Sequence, residues 1–364
     1  MPKLVYIVTV PITARVLLKG QLAYFRQQGF DVTVITSPDS DLQAITRSDR
    51  VQVLAVPMQR KIHIWQDLVS LWQLYRALQK LKPDIVNAST AKAGFLGMLA
   101  AWLARVPVRV YALLGLRLET LSGMKRRILF LTDWMAATCA HRVICVSTSL
   151  RTEYVNLGLS PDAKTIVLAS GSTNGLDAER FLATKETLTK SHVLREQLEV
   201  PKNVSVIGFV GRLVRDKGIM ELLDAFDRVL ETWPQTYLLI VGPFEQGDPI
   251  PASYVQRLHT HPQVVLTGYV TDTAPYYHTM DVLAFPSFRE GFGNVVLEAG
   301  AAGIPVVGCR VTGVVDAVID GVTGTLVPAG DVSALADALI TLSLIHISEP
   351  TRPLYISYAV FCLK

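Results

Sequence analysis

The chain has 364 residues, with 35 lysines and arginines against 31 acids and a net charge of +4. That length accommodates two domains; an apolar fraction of 50% with 18% charged residues excludes a disordered chain, and the modest charge argues against a nucleic-acid partner. The mean hydropathy of +0.33 is high, yet no apolar run reaches the ~20 residues of a membrane span, so the hydrophobicity belongs to buried parallel strands or to a surface that touches a membrane without crossing it.

Leu4–Val10 reads as a β-branched apolar strand. It follows the first residue with no charged leader or small-residue cleavage site, which leads us to expect a cytoplasmic protein. Helical spacing covers Leu17–Gln28 and closes at Gly29, and strands follow at Asp31–Thr36 and Val51–Pro57. Trp65–Leu81 is an amphipathic helix with apolar residues at Trp65, Leu68, Val69, Trp72, Tyr75, Leu78 and Leu81, stopped by Pro83. Ile85–Val86, Val108–Leu114 and Arg142–Val146 are further short strands.

Loop chemistry at Ser170–Asp177 and a polar stretch to Asn203 precede a second series. Strands are predicted at Val204–Val210, Tyr237–Val241, Val264–Thr267, Val282–Phe285 and Val306–Cys309, and helices at Met220–Glu231, Asn294–Ala302 and Asp331–Ile340. This alternation predicts an α/β chain of two Rossmann-like domains, residues 1–183 and 184–341. Cys139, Cys145, Cys309 and Cys362 form no C-x-x-C pair and read as free thiols rather than disulfides or zinc ligands. From Leu342 the chain, LSLIHISEPTRPLYISYAVFCLK, resembles a translated transposon-end adapter from a sequencing library. Residues 342–364 are therefore expected to be foreign, and the native chain to be cut in mid-helix.

Two motifs carry chemistry. In Gly208-Phe-Val-Gly-Arg-Leu-Val-Arg-Asp-Lys-Gly218 a strand ends at Gly211 and a helix opens after Gly218. Free N–H groups at such a turn attract anions. Arg212 can fork onto a phosphate and Lys217 adds a point charge; a solvated basic turn would look the same. In Ser287-Phe-Arg-Glu-Gly-Phe-Gly-Asn-Val-Val-Leu-Glu298 a Gly-rich loop joins a strand to a helix. Glu290 sits in the loop and Glu298 about one turn into the helix, so two carboxylates can reach opposite ends of one elongated ligand. Favourable acids at a helix start are the plain alternative, but they leave the glycines and Phe292 unexplained.

The Glu-x7-Glu spacing, preceded by Pro286-Ser287 and followed by Ala-Gly-Ala-Ala-Gly-Ile-Pro-Val-Val, resembles the donor motif of retaining glycosyltransferases of family four, whose two Rossmann domains face each other across a cleft. The resemblance runs from Leu4 to about Ile340. It implies that Glu290 contacts the transferred sugar and Glu298 the ribose of a UDP-sugar. It further places Arg212 and Lys217 on the diphosphate, with Gly211, Gly291, Phe292, Gly293 and Asn294 completing the donor site. Arg212, Lys217 and Glu290 are the implied catalytic residues. Asp316 stands where relatives more often carry Glu.

In the N-terminal half, Thr90-Ala-Lys-Ala-Gly-Phe-Leu-Gly97, Gly115-Leu-Arg-Leu-Glu119 and Lys125-Arg-Arg127 occur in order with Lys19-Gly20-Gln21 and Asn174-Gly-Leu-Asp177. Together they resemble the branch that extends saccharides on undecaprenyl diphosphate, with an N-acetylgalactosaminyltransferase as nearest type. This implies a polyprenyl-diphosphate-linked saccharide as acceptor, with Lys92, Arg117, Lys125, Arg126 and Arg127 as its candidate contacts. Asn87 and Leu114 stand where relatives carry His or Arg, so no catalytic residue is assigned in this half. Basic-then-aromatic stretches at Lys125–Ala140 and at Arg60, Lys61 and Trp65 fit either a core helix with a solvated end or an anionic membrane surface; the resemblance favours peripheral attachment to the inner face of the plasma membrane. No metal or other cofactor is expected, Asp39-Ser-Asp41 reading as a solvated loop. A soluble acceptor, a non-hydrolysing UDP-sugar epimerase and a donor-binding chain of poor turnover are the alternative readings.

Overall fold

The computed structural model describes residues 1–18, 20–38, 50–59, 63–245 and 247–348. Lys19, the Asp39-Ser-Asp41 loop, Arg60, Lys61 and Cys362 lie outside the described residues. The chain divides into two compact units between Gly175 and Leu176, so the turn Ala178–Phe181 belongs to the second. Its Phe181 ring meets Tyr277 edge-on at 5.8 Å.

The first unit is a parallel sheet of seven strands: β1 (Lys3–Ile7), β2 (Asp31–Thr36), β3 (Gln52–Ala55), β4 (Ile85–Ser89), β5 (Val108–Leu113), β6 (Arg142–Cys145) and β7 (Thr165–Val167). Their order is β3-β2-β1-β4-β5-β6-β7, so the direction of winding reverses between β1 and β4. The helices are α1 (Pro11–Leu17), α2 (Gln21–Gln27), α3 (Ile64–Leu81), α4 (Ala91–Leu103), α5 (Gly123–Cys139) and α6 (Thr148–Asn156). Of the helix expected over Leu17–Gln28, Gln21–Gln27 is helical, capped by Gly20, and α1 precedes it as a helix the spacing did not mark.

β-branched and apolar residues fill the sheet because parallel strands are covered on both faces. Leu4, Tyr6, Val8, Val32 and Val34 pack with Leu22 of α2. Helix α4 packs against both α3 and α5; its Gly94 and Gly97 let it lie close on the sheet, where an added Cβ would meet Tyr111 of β5 and Ala88 of β4 with Ile7 of β1. Helix α3 departs from the expected amphipathic pattern. Ser70, Leu74 and Leu78 face the core, whereas Trp65, Leu68, Val69 and Trp72 are exposed, Trp65 by 83%.

The second unit is a parallel sheet of six strands: β8 (Ser205–Val210), β9 (Thr236–Val241), β10 (Val264–Leu266), β11 (Val282–Phe285), β12 (Val306–Cys309) and β13 (Gly324–Val327). The order is β10-β9-β8-β11-β12-β13, reversing between β8 and β11. Its helices are α7 (Lys185–Gln197), α8 (Ile219–Thr232), α9 (Ala252–Thr260), α10 (Ala274–Tyr277), α11 (Asn294–Ala301), α12 (Val314–Ala317) and α13 (Val332–Ser348). Ile207, Phe209, Leu222, Phe226, Ile240, Ala284, Val307 and Leu339 form one core.

Strands β7 and β13 are additional to those the sequence reading marks. Helix α13 continues past Ile340 to Ser348. The first part of the adapter-like segment therefore extends a helix, with Leu342 packed on the core; residues 349–364 lie outside the described residues. Cys139, Cys145 and Cys309 are buried free thiols.

Candidate functional site

Ligands of doubly wound sheets bind beyond the carboxyl ends of the strands, where the winding reverses. In the second unit that point lies between β8 and β11, and both sequence motifs leave the sheet there. The loop after β8 carries Gly211, Arg212 and Lys217; the loop after β11 carries Glu290 to Gly293.

A single turn, Arg215–Lys217, closes the first loop at Gly218 with φ +68°. A Cβ on Gly218 would lie 2.1 Å from the Pro286 carbonyl oxygen, so only glycine lets the two loops press together. Three polar contacts then fix the approach. Arg289 Nε donates to Asp216 Oδ2 at 2.8 Å, with its Nη2 2.6 Å from the same oxygen. The Phe288 amide donates to the Asp216 carbonyl at 2.9 Å. The Asp216 amide donates to Asp248 Oδ2 at 3.1 Å.

This latch brings Lys217 Nζ onto Glu290 Oε1 as a hydrogen-bonded ion pair. The ammonium also sits 5.6 Å from the Phe285 ring centroid. Their side chains are 18% and 13% exposed, so solvent screens the pair little. Arg212 lies on the open side, more than half exposed and paired with Glu245 from the loop after β9. Behind the acidic loop stands Gly313, the cap of α12 at φ +80°. A Cβ there would come within 2.7 Å of the Gly291 carbonyl and 2.9 Å of the Glu290 oxygen.

Helix α11 opens after Gly293 and carries Glu298 on its second turn. Tyr277 donates its hydroxyl to Glu298 Oε2 at 2.8 Å, and Thr273 reaches the same oxygen at 3.3 Å. Burial pushes the Glu298 carboxyl above its ordinary range; the Tyr277 and Thr273 hydrogen bonds and the charge of Arg180 oppose it. Burial and the Glu298 charge push the Tyr277 phenol well up, which keeps it a hydrogen-bond donor.

The structure places Gly211, Arg212, Lys217, Glu290, Gly291, Phe292, Gly293, Asn294 and Glu298 on the two loops and the helix that leave one reversal point. It adds Asp216, Arg289, Glu245, Thr273 and Tyr277, which sequence reasoning missed. Asp216 and Arg289 stood inside the quoted motifs, each beside a residue already singled out; adjacency was their only signal.

In the first unit the reversal point between β1 and β4 carries Thr9 and Thr90, whose hydroxyl oxygens lie 2.6 Å apart. Thr90 has φ +72° and ψ 153°, a conformation costing on the order of 1–3 kcal/mol outside glycine and concentrated at functional sites. Asn87 Oδ1 is buried without a hydrogen-bond partner among the described residues. The Lys92 ammonium binds both Asp67 oxygens, at 2.6 and 2.9 Å. Arg117 is exposed, as are Lys125, Arg126 and Arg127. That basic run occupies the first turn of α5, which holds no acid, and cations there oppose the helix dipole. Exposed Met124, Ile128 and Leu131 share the helix.

Among the described residues no group of three or more His, Cys, Asp or Glu side chains is placed to hold a metal ion. None of the described helices is long and apolar enough to cross a membrane.

Comparison with known proteins agrees with this geometry. The family described as "Glycosyl transferases group 1" matches residues 204–344, and the "Glycosyl transferase 4-like domain" matches residues 14–171. The chain is 37% identical over 325 residues to the capsular polysaccharide biosynthesis glycosyltransferase CapM of Staphylococcus aureus, covering 89% of this chain and 83% of that one. It is 27% identical over 321 residues to the UDP-Gal:alpha-D-GlcNAc-diphosphoundecaprenol alpha-1,3-galactosyltransferase of Escherichia coli, covering 86% and 80%. The solved structure of Anabaena Alr3699/HepE with UDP and glucose superposes with a TM-score of 0.79 at 24% identity, covering 100% of this chain and 95% of that one. Sucrose-phosphate synthase of Thermosynechococcus elongatus does so with 0.78 at 21%, covering 100% and 95%. Both share the GT-B arrangement of two parallel-sheet α/β domains. The chain belongs to the group 1 glycosyl transferases and is a glycosyltransferase that takes its sugar from a nucleotide-sugar donor.

Proposed function

We propose that this enzyme transfers a hexose or N-acetylhexosamine, with retention of configuration, from a UDP-sugar to an undecaprenyl-diphosphate-linked saccharide during surface polysaccharide or glycoprotein glycan assembly. The observation that carries the reading is the Lys217–Glu290 ion pair held at the β8–β11 reversal point, with Glu298 on the adjoining helix. Glu298 binds the ribose hydroxyls, Arg212 and Lys217 the diphosphate, and Glu290 the hydroxyls of the transferred sugar.

As the sugar–phosphate bond breaks, negative charge grows on the diphosphate. Lys217, Arg212 and the loop amides from Gly291 to Asn294 stabilise that charge without a metal ion, because they are already oriented. The acceptor hydroxyl attacks from the face the diphosphate leaves, and a diphosphate oxygen takes its proton. The S. aureus and E. coli relatives support a capsular or lipid-linked acceptor, and the Anabaena complexes with UDP and UDP-glucose support a uridine donor. The sequence resemblance favours N-acetylgalactosamine as the transferred sugar; the E. coli relative favours galactose.

The acceptor lies with the first unit, using Arg117, Lys125, Arg126 and Arg127, and Lys92 through its pair with Asp67. The exposed Trp65–Trp72 stripe and the basic start of α5 dock on the anionic inner leaflet of the plasma membrane.

A panel of radiolabelled UDP-sugars with polyprenyl-diphosphate-linked saccharides tests the reading. One donor should give labelled lipid-linked product, with the anomeric configuration retained by NMR. Lys217→Ala, Glu290→Ala and Arg212→Ala should each lower turnover strongly. Full activity in all three, or release of free epimerised nucleotide sugar, would overturn it.

A further inference from the structure

The first unit holds an open cleft of about 550 Å³ between the second half of α5, the end of α6 and the chain entering β7. It lies toward the amino ends of β5, β6 and β7, the edge of the sheet opposite Thr9 and Thr90. Trp134, Ala137, Val155 and Leu159 give it apolar walls, and Ser160 and Lys164 line it as well.

Two observations show that these walls are not simply packed core. Ser160 is 5% exposed, yet its hydroxyl oxygen has no hydrogen-bond partner among the described residues. A buried hydroxyl left unbonded is costly, so a partner entering the cleft relieves a standing penalty. The second is charge. The cations Arg109, Arg142 and Lys164 gather beside the cleft with His141, and among the described residues none of the three cations pairs with a carboxylate.

Part of this charge serves the helix end: Arg109 Nε donates to the Cys139 carbonyl at 2.7 Å, and Lys164 Nζ to the Thr138 carbonyl at 3.0 Å. These contacts satisfy orphan carbonyls of α5 without neutralising the cations. The imidazole of His141 is held below its usual range by burial and by Arg109, Lys164 and Arg142. Burial, Arg109 and Arg142 likewise hold the Lys164 ammonium down, against the raising effect of Cys139. An anion in the cleft would relieve that repulsion.

We propose that this cleft binds an amphiphilic phosphate, a phosphate ester carrying an apolar chain. The chain lies against Trp134, Val155 and Leu159, the phosphate faces Lys164, and Ser160 donates its hydroxyl to a phosphate oxygen. The volume far exceeds a bare phosphate, and the unpaired cations disfavour a neutral hydrocarbon. The ester is either a free metabolite or a lipid headgroup.

Calorimetric titration of the full chain with octyl phosphate below its micellar concentration tests the site. Octyl phosphate should bind, Lys164→Gln should weaken it about tenfold and Ser160→Ala about fivefold. Octanol and inorganic phosphate should each bind at least about tenfold more weakly. A parallel arm measures flotation with phosphatidylglycerol vesicles. Loss of flotation in both variants assigns a lipid headgroup, and loss of octyl phosphate binding alone assigns a free ester. Circular dichroism and sugar-transfer activity control for folding, since neither residue belongs to the donor site. No binding of octyl phosphate, equal binding of octanol, or wild-type affinity in both variants would overturn the proposal.

Discussion

Tyr277 and Glu298 are joined by a 2.8 Å hydrogen bond from phenol to carboxylate, made between two helices of the second unit. The carboxylate on α11 is thereby aimed by a side chain at the end of α10. In the proposed function this carboxylate binds the donor ribose, and such a group must hold its orientation before the donor arrives, or its ordering costs affinity.

Tyr277→Phe removes the hydroxyl and keeps the ring, leaving Glu298 with Thr273 at 3.3 Å. A hydrogen bond to a charged group contributes about 1.5–3 kcal/mol. The donor KM should therefore rise about tenfold or more, with kcat little changed. Steady-state kinetics check this; a fall in kcat at constant KM would contradict a positioning role for Tyr277.

The Arg289–Asp216 latch should behave as one unit. Arg289→Ala and Asp216→Ala each free the loop that sets Lys217 against Glu290, and each should lower kcat/KM on the order of tenfold or more. The double variant should be little worse than either single one, a coupling of about 1–2 kcal/mol. Arg289→Lys should recover only part of the activity, because an ammonium lacks the fork that spans Asp216. Strict additivity in the double-mutant cycle would disprove the latch.

Gly313→Ala probes the buttress behind the acidic loop. The new Cβ would crowd the Gly291 carbonyl at 2.7 Å, at a φ of +80° that costs alanine about 1 kcal/mol or more. We expect a folded protein of lowered melting temperature whose transfer rate drops at least about tenfold, because Glu290 is displaced. Circular dichroism melting and initial-rate assays measure both; unchanged rates would show that the loop absorbs the methyl group.

Asp133 gives a pH prediction for the first unit. It is buried on α5 and accepts the Tyr111 hydroxyl at 2.9 Å. Burial raises its carboxyl from 3.8 to about 6, with the Tyr111 hydrogen bond opposing. The folded state thus holds this proton more tightly than the unfolded state. The group favours folding below pH 3.8, and stability is lost as pH rises from 3.8 through about 6. Asp133→Asn keeps an acceptor for Tyr111 and cannot ionise. Relative to the parent, it should gain about 1–2 kcal/mol of stability between about pH 5 and pH 8, seen in denaturant midpoints at the two pH values. A gain that does not grow with pH would place the charge elsewhere.

The exposed face of α3 shows where local reading stops. Period alone marks Trp65, Leu68, Val69, Trp72, Tyr75, Leu78 and Leu81 as one apolar set. A helix packed on a sheet buries only the stripe its neighbours reach, here Ser70, Leu74 and Leu78. The sequence specifies that apolar residues recur; packing selects which of them meet the core. The same limit applies to Lys92, a cation in a promising motif whose partner, Asp67, stands 25 residues away on another helix.

By itself the sequence determined the βα alternation, the tandem pair of α/β units and the two glycine-and-charge loops, because strand period, glycine turns and helix starts are set by neighbouring residues. It also marked Arg212, Lys217, Glu290 and Glu298. The tertiary structure decided which of these groups meet. Lys217 and Glu290 are 73 residues apart, as are Asp216 and Arg289. They touch because β11 pairs beside β8, which places the loops leaving both strands at one end of the sheet. Strand order depends on the packing of the whole unit, and no window of sequence contains it.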